Sequence, residues 1–245
     1  MFVFSMHKNA LRAAMVVLSL AATAARADQT DAAVFDISIR GFSAATLSIS
    51  GAVTGQHYEA SGFLKSSGLL GFLKKIRYDA AASGSLSDGR FVPARYKEKA
   101  DTGKRQSESV MAYKGGVPQV KSYTPPRPPQ TGDIDPATQG GTVDPLTALY
   151  AVLRDVPVAE ACSLKVFLFD GRRRSQVVLT APKAEGERIT CRGEYRRLEG
   201  FSDKDMAEKS RFPFTLTYQA AGSGMVHVSE ISMDTLYGKG RMIRR

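Results

Sequence analysis

Apolar and polar residues alternate along most of this 245-residue chain, and that rhythm restricts it to folds built from half-buried strands. Phe35, Ile37 and Ile39 alternate with Asp36, Ser38 and Arg40, and Leu47 and Ile49 repeat the pattern. The stretch from Gly51 to Gly55 reads as a turn before a strand over 58–64. Further strands are expected over 76–86, 91–99, 105–113 and 117–123, with turns at Ser87-Asp88-Gly89 and Asp101-Thr102-Gly103. Segments 164–169 and 174–180 flank Asp170-Gly171. That pair suits a two-residue hairpin, because both residue types tolerate positive φ. Segments 189–198, 212–219 and 225–233 complete the series.

Three stretches break the rhythm. Residues 66–74 crowd Leu69, Leu70, Phe72 and Leu73 between glycines and Lys74-Lys75, as a short helix plugging the sheet or as an apolar flap. Residues 124–143 form a Pro-rich loop with Pro125-Pro126 and Pro128-Pro129. Proline has no N–H for a ladder, so the loop is expected to be extended or poorly ordered. A helix follows, with Asp144 at its N-cap and Pro145 at its first position. Leu146, Leu149, Tyr150 and Leu153 then share one face that should dock on the concave side of a sheet, and Pro157 is expected to end the helix. Many strands, one or two helices and no βαβ alternation predict a mainly β fold, a single antiparallel sheet curved around one short helix.

The N-terminus sets the expected compartment. His7, Lys8 and Arg12 precede an apolar run over 13–25, and Ala25-Arg26-Ala27 has the small-x-small form of a cleavage site. Residues 1–27 therefore read as a signal peptide cleaved after Ala27, leaving 28–245 as one β-rich domain in the periplasm. The run is too short to span a bilayer, so stable membrane insertion is not expected. The whole chain has 34 basic and 24 acidic residues. Losing Lys8, Arg12 and Arg26 leaves 31 against 24, a formal charge of +7. The charges are dispersed, and no aromatics are spaced to stack bases beside them, so nucleic acid is not an expected partner. In an oxidising compartment the two cysteines, Cys162 and Cys191, are expected to form a disulfide.

No catalytic constellation stands out. His57 and His227 sit in alternating patterns as strand-face residues, and no spacing fits a metal site, a nucleophile elbow or a phosphate-cradling loop. No cofactor is expected. The best local signal is Arg172-Arg173-Arg174. Alternation puts Arg172 and Arg174 on one face and Arg173 on the other. The cluster is either a guanidinium fork for an anionic head group or a solvated strand entry with Asp170 paired to one arginine.

Phe91-Val92-Pro93-Ala94-Arg95-Tyr96, the helix entry Asp144-Pro145-Leu146-Thr147-Ala148-Leu149, the run Phe169-Asp170-Gly171-Arg172-Arg173-Arg174 and the flanking cysteines together carry a resemblance. Over nearly all of residues 30–240 the chain resembles the domain of unknown function 3108 family, exported proteins of Gram-negative bacteria, in an alphaproteobacterial form. The resemblance marks Pro93, Tyr96, Asp144, Pro145, Asp170 and Gly171 as structural motif positions. It implies a β-spiral or half-barrel similar to lipoprotein carriers and envelope-integrity factors, and it brings no activity with it. The expected function is non-enzymatic: a periplasmic cell-envelope protein holding a lipid, acyl chain or lipoprotein in an apolar groove. The alternative is a scaffold or protein-interaction module without a small ligand, and an enzyme acting on envelope polymers ranks third.

Overall fold

A computed structural model describes residues 28–68, 71, 75–130 and 132–245. The expected signal peptide and the apolar side chains of Leu69, Leu70, Phe72 and Leu73 lie outside the described residues.

The alternating segments form one antiparallel sheet. Its first half is a meander of β1 (Gln29–Ile39), β2 (Phe42–Thr54), β3 (His57–Ser66), β4 (Arg77–Ser87), β5 (Arg90–Asp101), β6 (Gln106–Lys114) and β7 (Val117–Thr124). After α1 (Pro145–Leu153) and a two-residue strand β8 (Val156–Pro157) come β9 (Leu164–Phe169), β10 (Arg174–Glu185) and β11 (Arg188–Glu199). A short helix α2 (Asp203–Glu208) precedes β12 (Arg211–Gly222), β13 (Met225–Thr235) and β14 (Gly238–Arg244). The order around the sheet is β7-β6-β5-β4-β3-β2-β1-β14-β13-β12-β11-β10-β9, with β8 added beside β13. Two meanders are thus fused where β14 pairs with β1, in a register that sets Phe35 opposite Arg244. The series read from sequence ended at Met233 and lacked β14.

The sheet curls until its edge strands β7 and β9 face each other across a gap, and the Pro-rich segment fills that gap. Its 3-10 turn at Pro136–Thr138 leads to Gly141, whose N–H donates to the Gly116 carbonyl in the β6–β7 turn at 3.1 Å. Val143 then donates to the Phe167 carbonyl and accepts from the Phe169 N–H, each at 2.9 Å, a single parallel bridge to β9. Gln139 and Thr142 are both 2% exposed. The segment is therefore a built strap rather than an extended or poorly ordered loop, because the two sheet edges offer main-chain partners to it.

Inside the curl lies α1. Asp144 caps it, accepting from the Thr147 N–H at 2.8 Å, and Pro145 occupies the first turn. Seven of its nine residues are buried, so it is enclosed nearly all round instead of docking one face. A helix this short gains little from its own hydrogen bonds and depends on the wall around it. The wall makes room with small side chains. A Cβ on Gly51 would lie 2.5 Å from the Tyr150 ring, and one on Gly62 would lie 2.8 Å from Leu146 Cδ1. This is why Gly51 belongs to β2 and not to the expected turn, which falls at Gly55. The helix stops at Arg154, before Pro157, which joins β8 against Met225.

Buried polar bonds fix the plug. Tyr150 donates to Asp31 at 2.6 Å, and the Tyr58 hydroxyl lies 2.8 Å from Thr147 Oγ1. The Cys162–Cys191 disulfide, with Cα atoms 5.3 Å apart, ties the chain leaving the helix to β11.

Candidate functional site

The arginine run sits at one end of the barrel, in the β9–β10 connection. Asp170-Gly171 does not make a two-residue hairpin. The connection has four residues, 170–173, closed by an Asp170 N–H to Arg173 carbonyl bond of 3.2 Å. Only Gly171 takes positive φ, at 96°. The Asp170 carboxylate instead accepts the main-chain N–H groups of Arg172 at 2.9 Å and Arg173 at 2.8 Å, an Asx-type turn. Asp170 therefore braces the loop backbone rather than pairing with a guanidinium.

Only Arg174 belongs to a strand, so strand alternation does not set the directions of Arg172 and Arg173. Arg172 reaches the strap and forms a bidentate pair with Asp133, at 2.6 and 2.5 Å. Arg174 points the same way, 4.9 Å from the Phe167 ring centroid and 3.4 Å from Gln139 Oε1. Arg173 stacks over Phe201 at 5.1 Å. The three arginines thus do not form one fork. Arg172 and Arg174 anchor the strap, and Arg173 stays exposed.

Two arginines remote in sequence join them. Arg105, from the β5–β6 turn, donates to the Tyr123 hydroxyl at 2.8 Å. Arg127, from the strap, lies 4.4 Å from the Tyr123 ring centroid. Together with Arg172, Arg173, Asp133 and Asp170 they line a recess of about 380 Å³, within the size range of small-molecule sites. Arg127 is half-buried and makes no ion pair among the described residues. Burial pulls its pKa down, and the nearby Arg172 and Arg105 charges add to that pull. Asp133 is held below the usual carboxylate range by its hydrogen bonds from Arg172. Asp133 is already spoken for by Arg172, and the Asp170 carboxylate by backbone, so the recess has spare positive charge. Sequence reading missed Arg105, Arg127, Tyr123 and Asp133. The available signal was Arg127 itself, a cation between two proline pairs and hence on stiff backbone.

The other marked positions are structural. Tyr96 is 2% exposed and donates to Glu98 at 2.7 Å; its pKa is raised, chiefly by burial. Pro93 is buried in β5 at a register shift opposite Gly84. Asp144 is 0% exposed. Burial raises its carboxyl to about 6, against hydrogen bonds from Thr147 that hold it down. His57 is an exposed partner of Glu59 at 3.5 Å. His227 is half-buried in β13, with its pKa lowered by burial and then by Arg244. A larger, open trough of about 880 Å³ crosses the outer face of β1 to β5, floored by Ala32, Ser50, Ser61 and Ala81 beside Phe63.

These features define a barrel-like protein: a nearly closed antiparallel sheet with a helix inside and an arginine-lined recess at its seam. Residues 34–199 match the family described as "Protein of unknown function (DUF3108)", and the chain belongs to that family. Among solved structures it is similar to a beta-barrel-like protein of domain of unknown function DUF1849 from Brucella abortus. That similarity has a TM-score of 0.46 and 13% identity, covering 87% of this chain and 94% of the other. No curated protein matches the chain.

Proposed function

We propose that this protein is a non-enzymatic binding protein of the cell envelope, exported to the periplasm, that recognises an anionic group in the arginine recess. The observation that carries the reading is Arg127. It is a half-buried guanidinium on proline-stiffened backbone with no acidic partner among the described residues, facing the same space as Arg105 and Arg173. Guanidinium groups bind phosphate or carboxylate bidentately, and partial burial strengthens each such bond. An apolar ligand on the concave side of the sheet would meet α1, which occupies that space. Recognition of a lipid or lipoprotein is therefore assigned to its charged head. The disulfide and the lack, among the described residues, of a helix able to cross a membrane suit an exported protein. The open outer trough favours protein docking as a second reading.

Calorimetric titration with sn-glycerol 3-phosphate tests the proposal. Saturable binding that weakens with salt and is lost in Arg127→Ala supports it. Equal binding by wild type and Arg127→Ala, or none by either, overturns it.

A further inference from the structure

The turns at the arginine-recess end of the barrel also carry the two most exposed large apolar side chains among the described residues, Tyr237 and Phe42. Tyr237, in the β13–β14 turn, is 72% exposed, its neighbour Leu236 is 37% exposed, and Phe42, at the start of β2, is 64% exposed. The turns bearing them are adjacent. The Arg40 N–H donates to the Lys239 carbonyl at 2.8 Å, and the Arg40 side chain packs on Gly238. Neither aromatic has a ring partner among the described residues. Both are held at turn tips, where burial in the fold is not available to them.

Cations surround this apolar tip. Arg40, Lys65, Lys75 and Lys239 are exposed, and none has an ion pair among the described residues. Asp234 lies opposite Lys239, and α2, tied to this hairpin by the Lys209 bond to the Asp234 carbonyl, brings Asp203, Asp205 and Glu208 with Lys204. Arg40, Lys65, Lys75, Lys239, Lys204 and Lys209 still outnumber these four acids by two. Asp36 and Glu230, further along the same strands, are occupied by Arg245 and Arg241.

We propose that this end of the barrel docks on the surface of an anionic phospholipid bilayer, with Phe42, Leu236 and Tyr237 entering the headgroup layer. Aromatic side chains with an apolar body and, for tyrosine, a polar tip suit that layer, and each nearby cation adds attraction to anionic lipid. A second copy of the chain is the less fitting occupant, because a two-fold contact would set Arg40, Lys65 and Lys75 against their own copies. Docking would turn the arginine recess, built from loops at the same end, towards the lipid headgroups. The inference does not depend on what that recess binds.

Flotation with vesicles decides it. The purified protein should float with phosphatidylglycerol vesicles, stay behind with phosphatidylcholine vesicles, and be released by salt. Phe42→Ser with Tyr237→Ser should lower the partition onto phosphatidylglycerol by about tenfold or more, since two aromatics lose their immersion. Circular dichroism and the melting temperature check that the variant is folded. Phe42→Ser with Tyr237→Ser should titrate sn-glycerol 3-phosphate as wild type does, since neither residue lines the recess, which separates this test from that of the recess. No flotation with phosphatidylglycerol would overturn the proposal, as would undiminished flotation of the folded double variant. Light scattering that shows a dimer dissociated by the double substitution would overturn it in favour of self-association.

Discussion

Replacing Asp144 with asparagine should flatten part of the pH dependence of stability, because this carboxyl is wholly enclosed between the cap of α1 and the sheet. Burial raises its folded-state pKa from an ordinary 3.8 to about 6. Between those values the folded protein holds a proton that the unfolded chain gives up. The stability contributed by that proton is fully present below about pH 4 and is lost as the pH rises through about 6. At ~1.36 kcal/mol per pH unit, the gap corresponds to about 3 kcal/mol, of which about 2 falls between pH 4 and pH 7. Asparagine keeps the cap, since its carbonyl can accept the Thr147 N–H. Its amide can donate to Thr147 Oγ1, whose own proton then turns towards Tyr58. Asp36, Asp133, Glu194, Asp205 and Glu230 have lowered pKa values and give the opposite slope. They cancel when the variant is compared with wild type at each pH. Urea unfolding from pH 4 to pH 7 should show the asparagine protein gaining about 2 kcal/mol relative to wild type. A difference that stays constant over this range would refute the argument that the buried carboxyl is protonated in the folded state.

Cys162→Ser should destabilise the protein by about 3.5 kcal/mol, and by the same amount as removing both cysteines, since either change opens the one loop; chemical denaturation of the two variants checks the equality. Gly51→Ala puts a methyl against the Tyr150 ring and 2.9 Å from the Glu59 carbonyl, and should cost about 1–3 kcal/mol by overpacking, read as a lowered melting temperature. Gly193→Ala should behave alike, because the ring of its cross-strand partner Phe214 lies over the glycine. Asp133→Ala removes the carboxylate that holds Arg172, so limited proteolysis should cut residues 124–135 faster than in wild type while leaving the strands intact.

The walls of the barrel were legible because a half-buried strand must alternate, and β1 and β2 do so around Phe35, Ile37, Leu47 and Ile49. β14 was missed because its inward positions include Gly238 and Gly240, which carry no apolar side chain to mark the rhythm. The Gly51 error has the same root: glycine reads as punctuation, whereas here it clears space for a tyrosine five strands away in the chain. The helix and its cap were legible down to Asp144 and Pro145, since capping is local chemistry. Its near-complete burial was not, because that follows from how far the sheet curls. The arginine recess was half visible. Arg172, Arg173 and Arg174 are contiguous, but Arg105, Arg127 and Asp133 reach them only through the closure of the seam.

The fusion of the two meanders at β1 and β14 has a consequence for how the chain assembles. Every other neighbouring pair on the main path of the sheet is a hairpin or short connection, so each half can zip up from contacts close in sequence. The β1–β14 pairing alone joins strands from opposite ends of the described chain. A polypeptide emerging from its N-terminus would therefore carry β1 with one open ladder until β14 follows. Exposed ladders recruit other strands. Premature termination anywhere before Gly238 would leave a sticky, half-formed sheet, and a circular permutant opened in the strap would remove that hazard by making β14 and β1 consecutive.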